Sequence, residues 1–325
     1  MKTALLADIG GTNARFALTD PGAKTPVLRE QRSLPAAEFA SLQHAAEHYL
    51  DSVGVRPTQA AIAVACPVSG DEVRLTNRAW AFSQSELKRA LGLTELKVIN
   101  DFGAVAYAVP ALGADDRVLL HGSDELPPRG PVSVLGPGTG LGVALLVGDA
   151  QSGWRVVETE GGHVSFAPQG DEELAISRWI SARYGRCSNE RLLCGAGISQ
   201  IHAALAAADD RSVPSDWAQS LRDPAEIVAA ALDGHDRTAR RTLARFCAVL
   251  GSVAGDAALI HGARTVMIAG GIVPRFIPFL RSSAFRERFL AKGRFAAYLE
   301  SVSIQVVTHA QPGLLGAAVA LRQQQ

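Results

Sequence analysis

Cysteine is scarce in this chain: Cys66, Cys187, Cys194 and Cys247 are the only four among 325 residues. None stands in a CxxC pair, and their spacing fits no common zinc pattern. Both facts argue against a disulfide framework and point to free buried thiols in a reducing compartment. An excess of one charge is lacking too, since 32 basic and 32 acidic side chains cancel. Nothing therefore draws the chain to nucleic acid or to anionic lipid. No long apolar run opens the sequence. In MKTALLADIGG the apolar stretch from Ala4 to Ile9 is only about six residues long and is broken by Asp8, too short for a signal peptide or membrane span, and it reads as a buried strand. No low-complexity segment appears. What remains is ordinary for a globular protein, with 47% hydrophobic and 20% charged residues. The length exceeds one simple core and predicts two domains.

Strand signals dominate the first third. ALLADI runs into GGTN and then into ARFALTD, where Ala14, Phe16 and Leu18 alternate with Arg15, Ala17 and Thr19. A helix is predicted over 36–53, with Phe39, Leu42, Ala46, Tyr49 and Leu50 on one stripe and Gly54 as its stop. AAIAVACP reads as a buried strand ended by Pro67. Ser83 and Glu86 form a capping-box pattern for a helix that Gly92 ends. LKVI is a short strand delivering Asn100 and Asp101, and FGAVAYAV a helix halted at Pro110. The charged, Pro-rich stretch 114–130 reads as a hinge or surface loop.

VSVL, GPGTGLG and VALLVG then repeat the plan of strand, glycine turn and strand, which points to an internal duplication. Helices are expected from about Asp171 to Gly185, from Asp223 with Pro224 at its first position, and from Asp236 toward Gly262. RTVMIAGGIV is a strand ending in a glycine pair. SIQVVTH is a last strand and PGLLGAAVALRQ a last helix.

Backbone N–H groups hold phosphate where the chain bends tightly, and glycine permits that approach. The first turn offers Gly10, Gly11, Thr12 and Asn13 beside the carboxylate of Asp8, and the second offers Gly138, Thr139 and Gly140. Neither turn has the GK[ST] ending of a P-loop or the glycine spacing of a dinucleotide fingerprint. A single such turn also fits a plain hairpin. Asp101, at a strand end, suits a base that takes a hydroxyl proton, though Asn100 and Asp101 also fit a helix cap. Glu160 and His163, around a glycine pair, and Glu190 suit sugar hydroxyls; taken alone they also fit surface carboxylates and a core histidine.

The segments DIGGTNARFAL, ACPVSGD, LTNRAWAFS, VINDFGAVA, GPGTGLGVA, ETEGGHVSFAP, NERLLCGAG, IAGGIVPRF and HAQPGLLGAA stand in this order along the chain. Together they resemble the bacterial glucokinases of the hexokinase/actin-like ATPase superfamily over essentially the whole length. The resemblance implies an α/β fold of two actin-like (ribonuclease H-like) domains with a nucleotide and sugar cleft between them. The small domain is expected at 1–111 plus 303–325 and the large one at 112–302.

It also implies transfer of the γ-phosphate of ATP to glucose, feeding glycolysis, with Asp101 as the base. Asn100, Asp101, Glu160, His163 and Glu190 would contact the sugar. Asp8 would face Mg²⁺, mostly through water, since that ion keeps few protein ligands. Gly270 and Gly271 would let the backbone approach the nucleoside. A cytoplasmic homodimer without nucleic-acid or membrane partners is expected. Kinases of the same fold acting on mannose or N-acetylglucosamine are the nearest alternative. The zinc-binding cysteine cluster common in the repressor/open-reading-frame/kinase group is not made by Cys187 and Cys194. A sugar-sensing transcription regulator would need a DNA-binding module ahead of the first strand.

Overall fold

Small apolar residues on both sides of the first glycine turn give an antiparallel pair, β1 (Ala4–Ile9) and β2 (Asn13–Thr19), in register from Ala4↔Thr19 to Ile9↔Ala14. The computed structural model describes residues 3–75, 80–209 and 221–322. It adds β3 (Arg29–Pro35), β4 (Gln59–Val64), a separate ribbon of β5 (Glu72–Arg74) and β6 (Ala81–Ser83), and β7 (Glu95–Asn100). The first sheet runs β3-β2-β1-β4-β7. Residues 76–79, within the LTNRAWAFS segment, lie outside the described residues.

A second sheet is built from β8 (Arg117–His121), β9 (Val132–Pro137), β10 (Leu141–Asp149), β11 (Gly153–Thr159), β12 (Thr265–Ile268) and β13 (Ser303–Val307), in the order β11-β10-β9-β12-β13-β8. Its first five positions repeat the first sheet strand for strand. In each, a glycine hairpin pairs antiparallel with an outer strand on one side, and two parallel strands follow on the other. The expected duplication is thus visible in the sheets.

The repeat explains where the sequence reading misplaced elements. The strand at 303–307, assigned there to the first unit, pairs with β12 and β8 in the second sheet. It is the counterpart of β7 and completes its own sheet as β7 completes the first. The stretch 114–130 is not all loop, because RVLLH forms β8 at the sheet edge. There the buried Arg117 is held by Gln305 and by Asp124 at 2.9 Å. The edge strands β3 and β11 gave no apolar signal because most of their side chains face solvent.

Helices of the first unit are α1 (Leu42–Val53), α2 (Gln84–Ala90) and α3 (Asp101–Ala108). α1 starts later than the predicted 36, because the Ser41 hydroxyl accepts the His44 N–H at 3.2 Å and caps the helix there. Further along lie α4 (Gly170–Tyr184), α5 (Asn189–Leu192), α6 (Gly195–Asp209), α7 (Pro224–Asp233), α8 (Arg237–His261), α9 (Ile277–Ser282), α10 (Phe285–Leu290), α11 (Ala296–Glu300) and α12 (Pro312–Arg322). By length and composition α8 could cross a membrane, yet most of it is buried in the largest apolar core, with Leu243, Phe246 and Leu250 fully covered.

Two helices leave the sheet that precedes them. α3 follows β7 but packs over β10 and β11, whereas α12 follows β13 but packs over β1 and β4. They cross against each other, and a side chain at Gly316 would overlap the Ala104 carbonyl oxygen. This exchange also explains β2, whose two faces serve two cores. Ala14, Phe16 and Leu18 meet Leu42 and Tyr49 of α1, while Ala17 meets Leu314 and Ala318 of α12.

Candidate active site

Asp101 opens α3 at the end of β7, and Asn100 does the capping. The Asn100 Oδ1 accepts N–H groups from Phe102 at 2.9 Å and Gly103 at 3.1 Å, and its Nδ2 donates to the Cys66 carbonyl at 3.2 Å. The Asp101 carboxylate shares only the Phe102 N–H with that cap. Its Oδ1 accepts the Phe102 N–H at 2.8 Å, its own backbone N–H also bonds the carboxylate, and no side chain among the described residues does. Burial, with the Asp8 carboxylate next in weight, pushes the Asp101 carboxyl up to about 6 from its ordinary 3.8. A carboxylate poised there is a competent base near neutral pH.

Asp8 reaches the same place from the end of β1. Burial raises its pKa against the opposing Arg15 guanidinium, whose Nη1 lies 3.3 Å from Oδ2. The head of α12 sits over this acid, since a Cβ at Gly313 would come 2.8 Å from its carboxylate. In the adjoining turn the Gly10 N–H is spent on the Asn13 carbonyl at 3.0 Å. The N–H groups of Gly11 and Thr12 have no acceptor among the described residues.

Phe102 ties α3 to the second hairpin, with its ring seated where side chains at the paired Gly136 and Gly142 would stand. At the tip of that hairpin the Gly138 N–H bonds the Gly140 carbonyl at 2.8 Å, leaving the N–H groups of Thr139 and Gly140 free among the described residues. Gly270, at φ +86°, packs against the Pro137 carbonyl, so the third glycine segment, with Gly271, joins the same hairpin. The sugar-candidate residues meet beside it. Glu190 Oε2 accepts the Leu141 N–H at 3.0 Å, His163 Nδ1 lies 3.8 Å from Glu190 Oε1, and His163 Nε2 lies 3.9 Å from Glu160 Oε2. These three groups and the hairpin form one cluster, and Asp8, Asn100 and Asp101 form another. Phe102 links the two, as does Glu158, whose Oε1 accepts the Asn100 N–H at 3.2 Å.

Arg15 and Glu158 were given no role by the sequence reading. Arg15 stands inside the DIGGTNARFAL segment. Glu158 lies on β11, two residues before Glu160, which follows the end of the strand.

A duplicated pair of sheets, each opening on a glycine hairpin, with acids at the strand ends between them, defines a two-domain actin-like phosphotransferase. A family model described as Glucokinase matches residues 5–324. The chain is 46% identical to a glucokinase from Chromohalobacter salexigens, covering 100% of this chain and 99% of that one. It is 43% identical to one from Pectobacterium atrosepticum, covering 98% and 97%. The crystal structure of a glucokinase from an Antarctic psychrotroph superposes with a TM-score of 0.87 at 38% identity, covering 99% of both chains. The chain belongs to the glucokinase family and is a sugar kinase.

Proposed function

We propose that the chain moves the γ-phosphoryl group of ATP onto the 6-hydroxyl of D-glucose, with Asp101 taking the hydroxyl proton. One observation carries this reading: a half-buried carboxylate bonded by no other side chain, raised to about 6, beside a hairpin whose N–H groups are open to phosphate. Phosphoryl transfer asks mainly for positioning and charge neutralisation. Gly11, Thr12, Thr139 and Gly140 supply backbone N–H groups for the phosphates. Asn100 keeps one amide N–H for the sugar after bonding Cys66. Glu160, His163 and Glu190 orient the sugar hydroxyls, with His163 and Glu190 near the anomeric end.

Asp8 fits magnesium: it is a hard oxygen donor, buried, with the Arg15 guanidinium to balance it and the Asp101 carboxylate nearby. Magnesium, when bound, neutralises charge on the phosphates. In this reading the small domain is 1–111 with the C-terminal helix, the large domain runs from 112 through β13, and the two close on the sugar and expel water. The enzyme acts as a cytoplasmic homodimer feeding glycolysis. Four free, buried cysteines accord with a reducing compartment.

A coupled assay of purified protein across hexoses and phosphate donors tests the assignment. Glucose should exceed mannose and N-acetylglucosamine by at least about ten-fold in kcat/KM, the worth of one hydrogen bond to a charged partner. A better rate with either rival sugar would overturn the choice of glucose. Glu190→Gln should raise KM for glucose about ten-fold and change kcat by less than about three-fold, because the contact is remote from the transferred group. A fall confined to kcat would remove Glu190 from sugar binding. EDTA should abolish activity and Mg²⁺ should restore it, while elemental analysis should find no stoichiometric zinc. Full activity in EDTA would remove the metal from the reading.

A further inference from the structure

Glu158 stands on the edge strand β11, in the second sheet, paired with Ala144 of β10. Its side chain reaches out of that sheet to the Asn100 N–H, 3.2 Å away, at the corner where β7 becomes α3. The carboxylate lies against the first turn of α3, and a side chain at Gly103 would overlap it. The other bonds on Asn100 are local to the first unit: its side chain is held by Phe102, Gly103 and Cys66. Among the described residues, the Glu158 bond alone ties this corner to the second sheet by a polar contact.

The strand that carries it ends at Thr159, and the sugar-facing segment Glu160–His163 begins at the next residue. The same strand end thus holds the base's corner through Glu158 and presents the sugar's partner through Glu160. A base must sit within hydrogen-bond reach of the proton it takes, and a displacement of about 1 Å can cost a factor of 10² in rate.

We propose that Glu158 is a positioning residue that fixes the Asn100–Asp101 corner relative to the sugar-binding segment, acting through its hydrogen bond to the Asn100 N–H. The proposal rests on Asp101 serving as the base. Glu158 touches neither substrate nor reacting atoms in this role. Its carboxylate serves as an acceptor, and the amide oxygen of glutamine can replace it.

The test compares Glu158→Ala and Glu158→Gln with wild type and with Asp101→Asn, in steady-state kinetics and thermal melting. Glu158→Ala should lower kcat by about ten-fold, with KM for ATP within two-fold or so of wild type and a melting temperature lowered by only a few degrees. Glu158→Gln should recover kcat to within about three-fold of wild type, because it can still accept the N–H. In the Asp101→Asn background, Glu158→Ala should cost little more. An alanine variant with wild-type kcat overturns the proposal, as does a glutamine variant as slow as the alanine one. So does a loss of kcat that only tracks a lost fraction of folded protein. If Asp101→Asn itself retains wild-type turnover, the assignment of the base fails first, and that result is distinct from all of these.

Discussion

Asp101→Asn should lower kcat by about 10²-fold or more while making the protein more stable at pH 8. The first effect follows because the amide keeps the shape and the contact with the Phe102 N–H but cannot take a proton. The second follows from the environment of the acid. Its carboxyl is raised from 3.8 to about 6, mainly by burial and then by Asp8. Between those values the native state binds more protons than the unfolded chain, so stability falls as pH rises through this window and stays lower above it. The full difference corresponds to up to about 3 kcal/mol, and the amide removes that cost. Melting temperatures should therefore favour the variant at pH 8, with the gap shrinking by pH 5. In wild type, kcat/KM should fall as pH drops through about 6, where the base becomes protonated. A variant that is both slow and less stable at pH 8 would mean the carboxylate is structural rather than poised.

Local chemistry in the sequence marked most of the elements that carry the site. Ser83 caps the helix it was expected to cap, and both glycine turns close hairpins. The sequence alone left cap and base in competition at residues 100–101. In the structure Asn100 bonds the N–H groups of Phe102 and Gly103, and Asp101 shares only the first of them. Elements with no periodic signal stayed hidden. β3 carries Arg29, Glu30, Gln31 and Arg32 into solvent and so looks like loop. β8 is a short edge strand inside a charged stretch, and β13 looks like the companion of the helix after it. Only the repeated sheet order shows that β13 pairs with β12 while α12 crosses to the other sheet.

Long-range contacts were equally out of reach of the sequence. Glu158 reads as one more exposed acid until its carboxylate is seen at the Asn100 N–H. Arg15 reads as the polar side of an alternating strand until it is seen beside Asp8. In both cases the partner lies on another element, and the residue's own neighbours carry no trace of it.

Two glycines should respond in opposite ways to the same substitution. Gly316 lies in α12 where it crosses α3, and a Cβ there would collide with the Ala104 carbonyl oxygen and crowd the Ala108 backbone N at 3.0 Å. Both obstacles are main chain inside a helix, so neither can swing aside as a side chain would. Gly316→Val should separate the two helices that join the sheets, at a cost of about 3 kcal/mol or more, which lowers the melting temperature by roughly 6–12 °C. Gly138 has no heavy atom within 4 Å of the position a Cβ would take, and its φ is not in the left-handed region. Gly138→Val should therefore fold with an unchanged melting temperature. What the new side chain meets is whatever approaches the free N–H groups of Thr139 and Gly140. If that is a phosphate, KM for ATP should rise at least about ten-fold while KM for glucose moves little, since one charge-assisted bond is worth roughly 1.5–3 kcal/mol. Thermal melts and two-substrate kinetics on the pair separate the roles. Should Gly138→Val melt as low as Gly316→Val, or lose glucose and ATP affinity alike, the hairpin would be a structural turn and the phosphates would have to be held elsewhere.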